Sequence, residues 1–366
     1  MLVFNPVFRQ AGNVSLVQFG TDYADTFNYI AFREASQKGL ISITEVDSSG
    51  NVNSLMIDNR SDEFVFLSDG DLLQGAKQNR VLNTSVLIKP NSKIIVPVSC
   101  VEAGRWRYTR RDFGESEFYA PSNLRRVKQV AVVTHLREGH GHRTDQGKVW
   151  DEVSNYASLH KESSPTSDML NTFEKKKHIF DRDLNDIFPE AHTNAVAIFI
   201  GRKLVSVESF NSRQVYSQYF EKLIRSAMMD SAVHHDDRTM NKKDAYLKLE
   251  RFISKLTEID FEKHKAVAAG EELRFASDEM TCYELSYEGK TIHFAALLSS
   301  EEKRDKIYRD SRGMIVINFG HFKGRIFRDI LRNDYDYAMR IMLSPELSEV
   351  MKRELFEEAL RYAPNR

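Results

Sequence analysis

Residues 65–108 read VFLSDGDLLQGAKQNRVLNTSVLIKPNSKIIVPVSCVEAGRWRY, and this run carries more chemistry per residue than any other part of the chain. Between the apolar run Phe64–Leu67 and the alternating run Thr84–Ile88 lie Asp69, Asp71, Lys77, Gln78, Asn79, Arg80 and Asn83. A second apolar run, Lys93–Val98, follows a Pro90-Asn91 turn and delivers Ser99, Cys100, Glu102, Arg105 and Trp106 at its end. Pairing of these two runs as strands would bring both polar sets together. Glu102 then suits a general base, while Arg80 and Arg105 suit a phosphate clamp or the stabilisation of a developing anion. Asp69, Lys77, Gln78, Asn79, Asn83 and Trp106 complete the expected ligand-binding set, with Gln78 and Asn79 reading a ribose or a base edge. Asp69 and Asp71 stand two apart, which fits a metal or acid–base pair on an extended chain and an ordinary turn around Gly70 otherwise. Cys100, at the end of a hydrophobic run, reads either as a small core residue or as a thiol activated by nearby cations.

Composition narrows the class. With 366 residues, 41% hydrophobic and 29% charged, the chain is long enough for a sizeable core and for two domains. A net charge of −1 argues against a wholesale polyanion binder, so phosphate affinity must come from a local patch. The chain's two cysteines, Cys100 and Cys282, stand nearly 200 residues apart, which makes a disulfide framework implausible and points to a reducing, cytoplasmic setting. No apolar run reaches transmembrane length, so no membrane partner is expected.

Around the central run, Ser15–Phe19, Leu40–Val46 and Val52–Ile57 alternate like strands. Asp25–Lys38 has helical spacing and ends at Gly39, and Ser48–Asn51 marks a hairpin. Residues 101–148 hold ten Lys or Arg against six Asp or Glu, a local net of +4 interleaved with aromatics. Such a stretch reads as a patch for stacked bases and phosphates or as a solvated helix face beside core aromatics. His135, His140 and His142 sit in a glycine-rich loop, as His234 and His235 sit in an acidic link; both read as solvated polar segments rather than metal sites. Helical stripes follow between Gln146 and Phe188, then the hairpin 194–210 turning at Gly201-Arg202, a helix from Ser212 to Ala232, another over Lys243–Leu256, and a closing hairpin, Met280–Tyr287 with Lys290–Leu297.

The phrases DGDLLQGAKQNRVLNTSVLI, IVPVSCVEAGRW, RWRYTRRDF, GKVWDEV and AVAIFIGRKLVSVESF closely resemble the ADP-ribosylglycohydrolase- and rhodanese-phosphatase-superfamily-associated protein domain family. The resemblance covers about residues 1–300 and implies a prokaryotic setting and a nucleotide-type ligand such as ADP-ribose or an NAD-derived molecule; it names no cofactor and no reaction. Residues 301–312 read as a charged linker. From 313 to 366, FGHFKGRIFRDIL and DYDYAMRIML resemble the exodeoxyribonuclease X-like C-terminal domain, with Met339 or Arg340 where that family carries a tryptophan. That resemblance implies nucleic-acid contact through His321, Lys323, Arg325 and Arg328, without an exonuclease active site. The expected architecture is α+β: a strand-rich N-terminal half, a helical middle, a closing hairpin and a small β-α-α module. The expected function is binding or processing of a nucleotide-type ligand through Asp69–Trp106. The alternative is a non-catalytic nucleic-acid-binding or scaffold component of a defence or stress system.

Overall fold

A computed structural model describes residues 1–46, 53–108, 110–177, 187–233, 238–299, 306–310, 312–317, 324–344 and 347–362. The chain divides into two compact units, Met1–Ser300 and Glu301–Arg366. The hairpin signal at 48–51 and the histidine pair at 234–235 lie outside the described residues.

The large unit is α+β and is built from two main sheets. One is a closed six-stranded barrel in the order Ser92–Cys100, Ser54–Asn59, Ile41–Glu45, Phe113–Tyr119, Asp71–Gly75, Arg80–Leu82. Its interior is filled by Ile43, Leu55, Ile57, Leu73, Leu82, Val96, Val98 and Phe113, as period-two alternation requires. The other is an eight-stranded antiparallel sheet running Phe4–Ala11, Val14–Gly20, Ala195–Ile200, Lys203–Phe210, Lys290–Leu298, Met280–Tyr287, Glu271–Ala276, Glu262–Lys265. The helix Lys242–Leu256 packs on one face of it through Ala245, Leu249 and Phe252. The helix Arg213–Ala232, capped by Ser212, buries Tyr216, Tyr219, Phe220 and Leu223 in the core on the other side.

Two sequence expectations change here. Thr84–Ile88 does not pair with Lys93–Val98; Val86–Ile88 instead joins Val65–Leu67, while Val98–Cys100 pairs with Arg80–Leu82. The polar sets still meet, through the shorter strand. The helix expected over Asp25–Lys38 is confined to Phe32–Gln37. Upstream, the Asn211 side chain takes the Thr26 and Phe27 amides at 3.0 and 2.9 Å, and Ile30–Ala31 pairs in parallel with Val65–Phe66. Those tertiary hydrogen bonds replace the helical ones.

The helix Ser122–Arg137, read from sequence only as part of a basic stretch, sits between barrel and sheet. Its Arg125 and Lys128 are buried, Arg137 pairs with Glu262, and Arg110 pairs with Asp112 at 2.9 Å, so the stretch does not present one basic surface. Arg125 donates to Asp69 Oδ1 (2.8 Å) from the barrel side and to Glu208 Oε1 (2.5 Å) from the sheet. Tyr283 donates its hydroxyl to the same Asp69. Lys128 Nζ donates to the carbonyls of Asp69 (2.6 Å) and Leu82 (2.5 Å), and Gln129 bonds Asp69 Oδ2 (2.9 Å). Arg274, fully buried, joins Glu272 (2.7 Å) and Gln129 (2.6 Å). Asp71 takes Lys222 (3.0 Å) and the Tyr219 hydroxyl (2.6 Å). Gly70 lies against the Tyr119 ring so closely that any Cβ would strike it, which requires glycine at this turn.

The small unit has strands Ile307–Arg309 and Ile315–Ile317 followed by helices Phe327–Asn333, Tyr335–Met342 and Glu349–Tyr362, around its own core of Ile315, Phe327, Ile330, Leu331, Ile341 and Leu355. The first strand falls within the stretch read as a linker. Among the described residues no helix is long and apolar enough to cross a membrane.

The buried carboxylates make stability depend on acid. Against the opposing cost of burial, Arg125 and Lys128 hold Asp69 well below the usual carboxylate range, and Arg274 with His142 holds Glu272 down to about 2. A carboxylate depressed in the fold contributes stability that is present above its unfolded value and lost as pH falls through the folded one. Resistance to urea is therefore expected to fall steadily between pH 4.5 and pH 2, Glu272 contributing on the order of a few kcal/mol to the loss. A midpoint that does not move across that window would contradict this assignment.

Candidate functional site

At one end of the barrel the strands Asp71–Gly75 and Arg80–Leu82 lie antiparallel, with Leu73 opposite Arg80 and Cys100 opposite Arg80 on the other side. The link 75–80 and the segment 100–106 therefore share that end. The Val101 amide donates to the Asn79 carbonyl (3.1 Å) and ties them together. Ala76 adopts a left-handed φ of 38°, a strained choice for a residue with a Cβ.

Arg105 holds this strained loop in place. Its guanidinium donates to the carbonyls of Ala76 (2.8 Å), Gly75 (3.3 Å) and Arg107 (3.1 Å), to Asn79 Oδ1 (3.2 Å) and to Glu102 (2.9 Å). Glu102, buried, also accepts the Asn79 amide (3.1 Å). Asn79 in turn donates to Asp168 Oδ1 (3.1 Å), which caps the helix Met169–Lys176. Burial first, and then the nearby Glu102, push the Asp168 carboxyl above its ordinary value, while Asn79 opposes the shift. Asp168 is one of the members that sequence reasoning missed. Its only local signal is that of a helix N-cap, which says nothing of a site far upstream.

Arg80 differs from Arg105. Period-two alternation sends it into the barrel with Leu82, and sends Glu45 inward with Ile43. Arg80 Nη1 donates to Gln78 Oε1 (2.9 Å), but Nε and Nη2 have no hydrogen-bond partner, and both Glu45 oxygens are equally unpartnered. The two charges stand 4.0 Å apart, too far for a direct hydrogen bond. Burial lowers the Arg80 pKa. Cys100 shares this interior, and burial pushes its thiol up to about 11, the opposite of what an activated nucleophile needs.

Outside the barrel, the half-exposed rings of Trp106 and Tyr108 flank the Lys77 ammonium, each centroid 5.2 Å away. The Trp106 ring also lies 5.9 Å from the Arg80 guanidinium. This end of the barrel thus presents two half-exposed aromatic rings against a buried lysine, with the fully buried Arg80 behind Trp106.

Asp69 and Asn83 lie elsewhere. Asp69 belongs to the Arg125 network at the opposite end, where the Asp71 amide bonds the Ser68 carbonyl (3.0 Å) in a turn. Asn83 accepts from Ser99 Oγ (2.7 Å) and donates to the His142 carbonyl (3.1 Å). His142 Nε2 meets Glu272 (2.7 Å), and His135 Nδ1 meets the Arg143 carbonyl (2.9 Å). Among the described residues no group of three or more His, Cys, Asp or Glu is placed to hold a metal ion. In the small unit Arg325 is exposed, whereas Arg328 pairs with Glu358 (3.0 Å) beneath the Tyr362 ring. His321 and Lys323 lie outside the described residues.

No curated protein and no solved structure matches this chain. A family model described as the ARG and Rhodanese-Phosphatase-superfamily-associated Protein domain matches residues 6–297, a span that takes in the barrel, the eight-stranded sheet and the helices between them. The chain belongs to that family.

Proposed function

We propose that the large unit binds a nucleotide-type ligand, of the ADP-ribose or NAD-derived class, at the barrel end formed by Lys77, Gln78, Arg80, Trp106 and Tyr108. The observation that carries this reading is the pair of half-exposed rings beside Lys77, of which Trp106 also lies against the buried Arg80 with its unpartnered Nε and Nη2. Every nucleobase has a face for stacking, and a diphosphate supplies the charge that Lys77 and Arg80 would meet. The family's description, which associates it with ARG and rhodanese-phosphatase proteins, supports the same direction. Glu102 and Arg105 act in this reading as positioning residues: Glu102 is held by Arg105 and the Asn79 amide, and the Arg105 donors go to the loop 75–79. The reading is binding without acid–base chemistry from Glu102.

Trp106 and Trp150 are the two tryptophans, so Trp150→Phe leaves Trp106 as the single indole reporter. Titration of that protein with ADP-ribose is expected to quench its fluorescence saturably. In the wild-type background, Trp106→Ala is expected to weaken ADP-ribose binding by roughly 5- to 150-fold, the worth of one stacked base. Arg80→Met should weaken it without altering the circular dichroism spectrum. Absence of any saturable signal from ADP-ribose, NAD or AMP would end this reading.

A second reading is carried by the small unit, whose resemblance to the exodeoxyribonuclease X-like C-terminal domain goes with an exposed Arg325. There the unit contacts nucleic acid through His321, Lys323 and Arg325, with Arg328 committed to Glu358. Anisotropy of labelled single-stranded DNA should rise with the full chain at low salt, and Arg325→Glu should weaken binding and flatten its salt dependence. Unchanged affinity in that variant would remove the assignment.

A further inference from the structure

A cleft of about 660 Å3 opens on the outer face of the eight-stranded sheet, beside the end of the helix Lys242–Leu256. It lies on the face opposite the Arg125 network. Cross-strand register builds its floor: Phe294 and Glu284 lie side by side on adjacent strands, with Ser209 next to Phe294 on the strand beyond. Ile253, Leu256, Phe261 and Phe294 supply an apolar wall, and Tyr23, whose hydroxyl is hydrogen-bonded to Ser209, closes one side.

Glu284 is the odd member of this surface. Met280, Cys282 and Phe294 on the same face belong to an apolar cluster, so a carboxylate among them is costly unless it is paired. The interior carboxylates Asp69, Asp71, Glu208 and Glu272 each have an arginine or lysine partner. Among the described residues Glu284 has none; its hydrogen-bond partner is the Thr291 hydroxyl at 3.0 Å. Lys290, on the rim, directs its ammonium over the Phe27 ring at 5.7 Å instead. Asp22 adds a second carboxylate at the mouth, accepting the Leu2 amide at 2.9 Å. Burial raises the Glu284 pKa, while the Met1 amino group acts on it from a distance without reaching ion-pair range. The site is therefore apolar over most of its wall and short of one cation at its floor.

We propose that this cleft binds a small organic ammonium ion carrying an apolar body, with Glu284 as its counter-ion and the wall of Leu256, Phe261 and Phe294 as its seat. The volume falls in the range of small-molecule sites, and one placed charge in a mainly apolar cleft is how such sites set orientation. This ligand differs in sign from the anionic nucleotide assigned to the barrel end. The two sites are separate, so either proposal can fail alone.

The test uses the full chain and three probes of matched shape: phenethylammonium, 2-phenylethanol and 3-phenylpropionate, followed by isothermal titration calorimetry and ligand-observed NMR. Phenethylammonium is expected to bind at least tenfold tighter than the alcohol, and the carboxylate not to bind. Glu284→Gln is expected to erase the tenfold preference while leaving the alcohol unaffected. Thr257→Trp, which fills the cleft from an exposed position, is expected to abolish binding of both and stands as the test if the Gln variant folds poorly. Equal affinity for ammonium and alcohol, or ammonium binding that survives both substitutions, would overturn the proposal.

Discussion

The large unit depends on one guanidinium shared by two buried carboxylates. Arg125 reaches Asp69 in the barrel and Glu208 in the sheet from a single helix, and stacks 4.7 Å from the Tyr119 ring as it does so. None of these groups is tolerable alone in the interior: removing one partner of a buried ion pair costs about 3 to 5 kcal/mol because the other charge is stranded. The barrel, the helix Ser122–Arg137 and the eight-stranded sheet are thus required to assemble together. Arg274 with Glu272, and Lys222 with Asp71, repeat the arrangement around it. A network of this kind specifies one docking of barrel on sheet, since a slip in either would unpair several charges at once.

The two ends of the barrel are chemically opposite. At the Asp69 end the carboxylates of Asp69 and Glu208 are paired and water has little room; the adjoining cavity, lined in part by Arg125 and Glu208, measures about 10 Å3. At the Arg80 end the matching stops. Arg105 and Glu102 are spent on shaping the loop 75–79, whereas Arg80 and Glu45 keep unpartnered atoms and Trp106 and Tyr108 keep half-exposed faces. Interiors rarely leave such groups unmatched without a function to account for them. That contrast between paired and unpartnered charges is what supports the proposed ligand site.

Much of this was legible in the sequence where the signal is local. Alternation marked Ser15–Phe19 and Met280–Tyr287, Ser212 marked a helix start, and the crowding of Lys77, Gln78, Asn79, Arg80, Glu102, Arg105 and Trp106 reflected a real gathering at one end of the barrel. What stayed hidden was long-range. Asp69 sits next to the same motif yet answers to Arg125 and Tyr283, distant in sequence, and Asp168 joins the site from another helix. The basic residues 125 and 128 looked like surface charge because nothing in their own neighbourhood records the carboxylates that bury them. Periodicity likewise suggested helix over 25–31, where the Asn211 side chain claims the backbone instead.

The most direct test of this account is amide hydrogen–deuterium exchange of the full chain with and without saturating ADP-ribose. The account predicts slowed exchange at residues 75–80 and 100–108, and none at the already protected helix Ser122–Arg137. Slowing centred on that helix and its network, or no slowing at the Arg80 end, would contradict it.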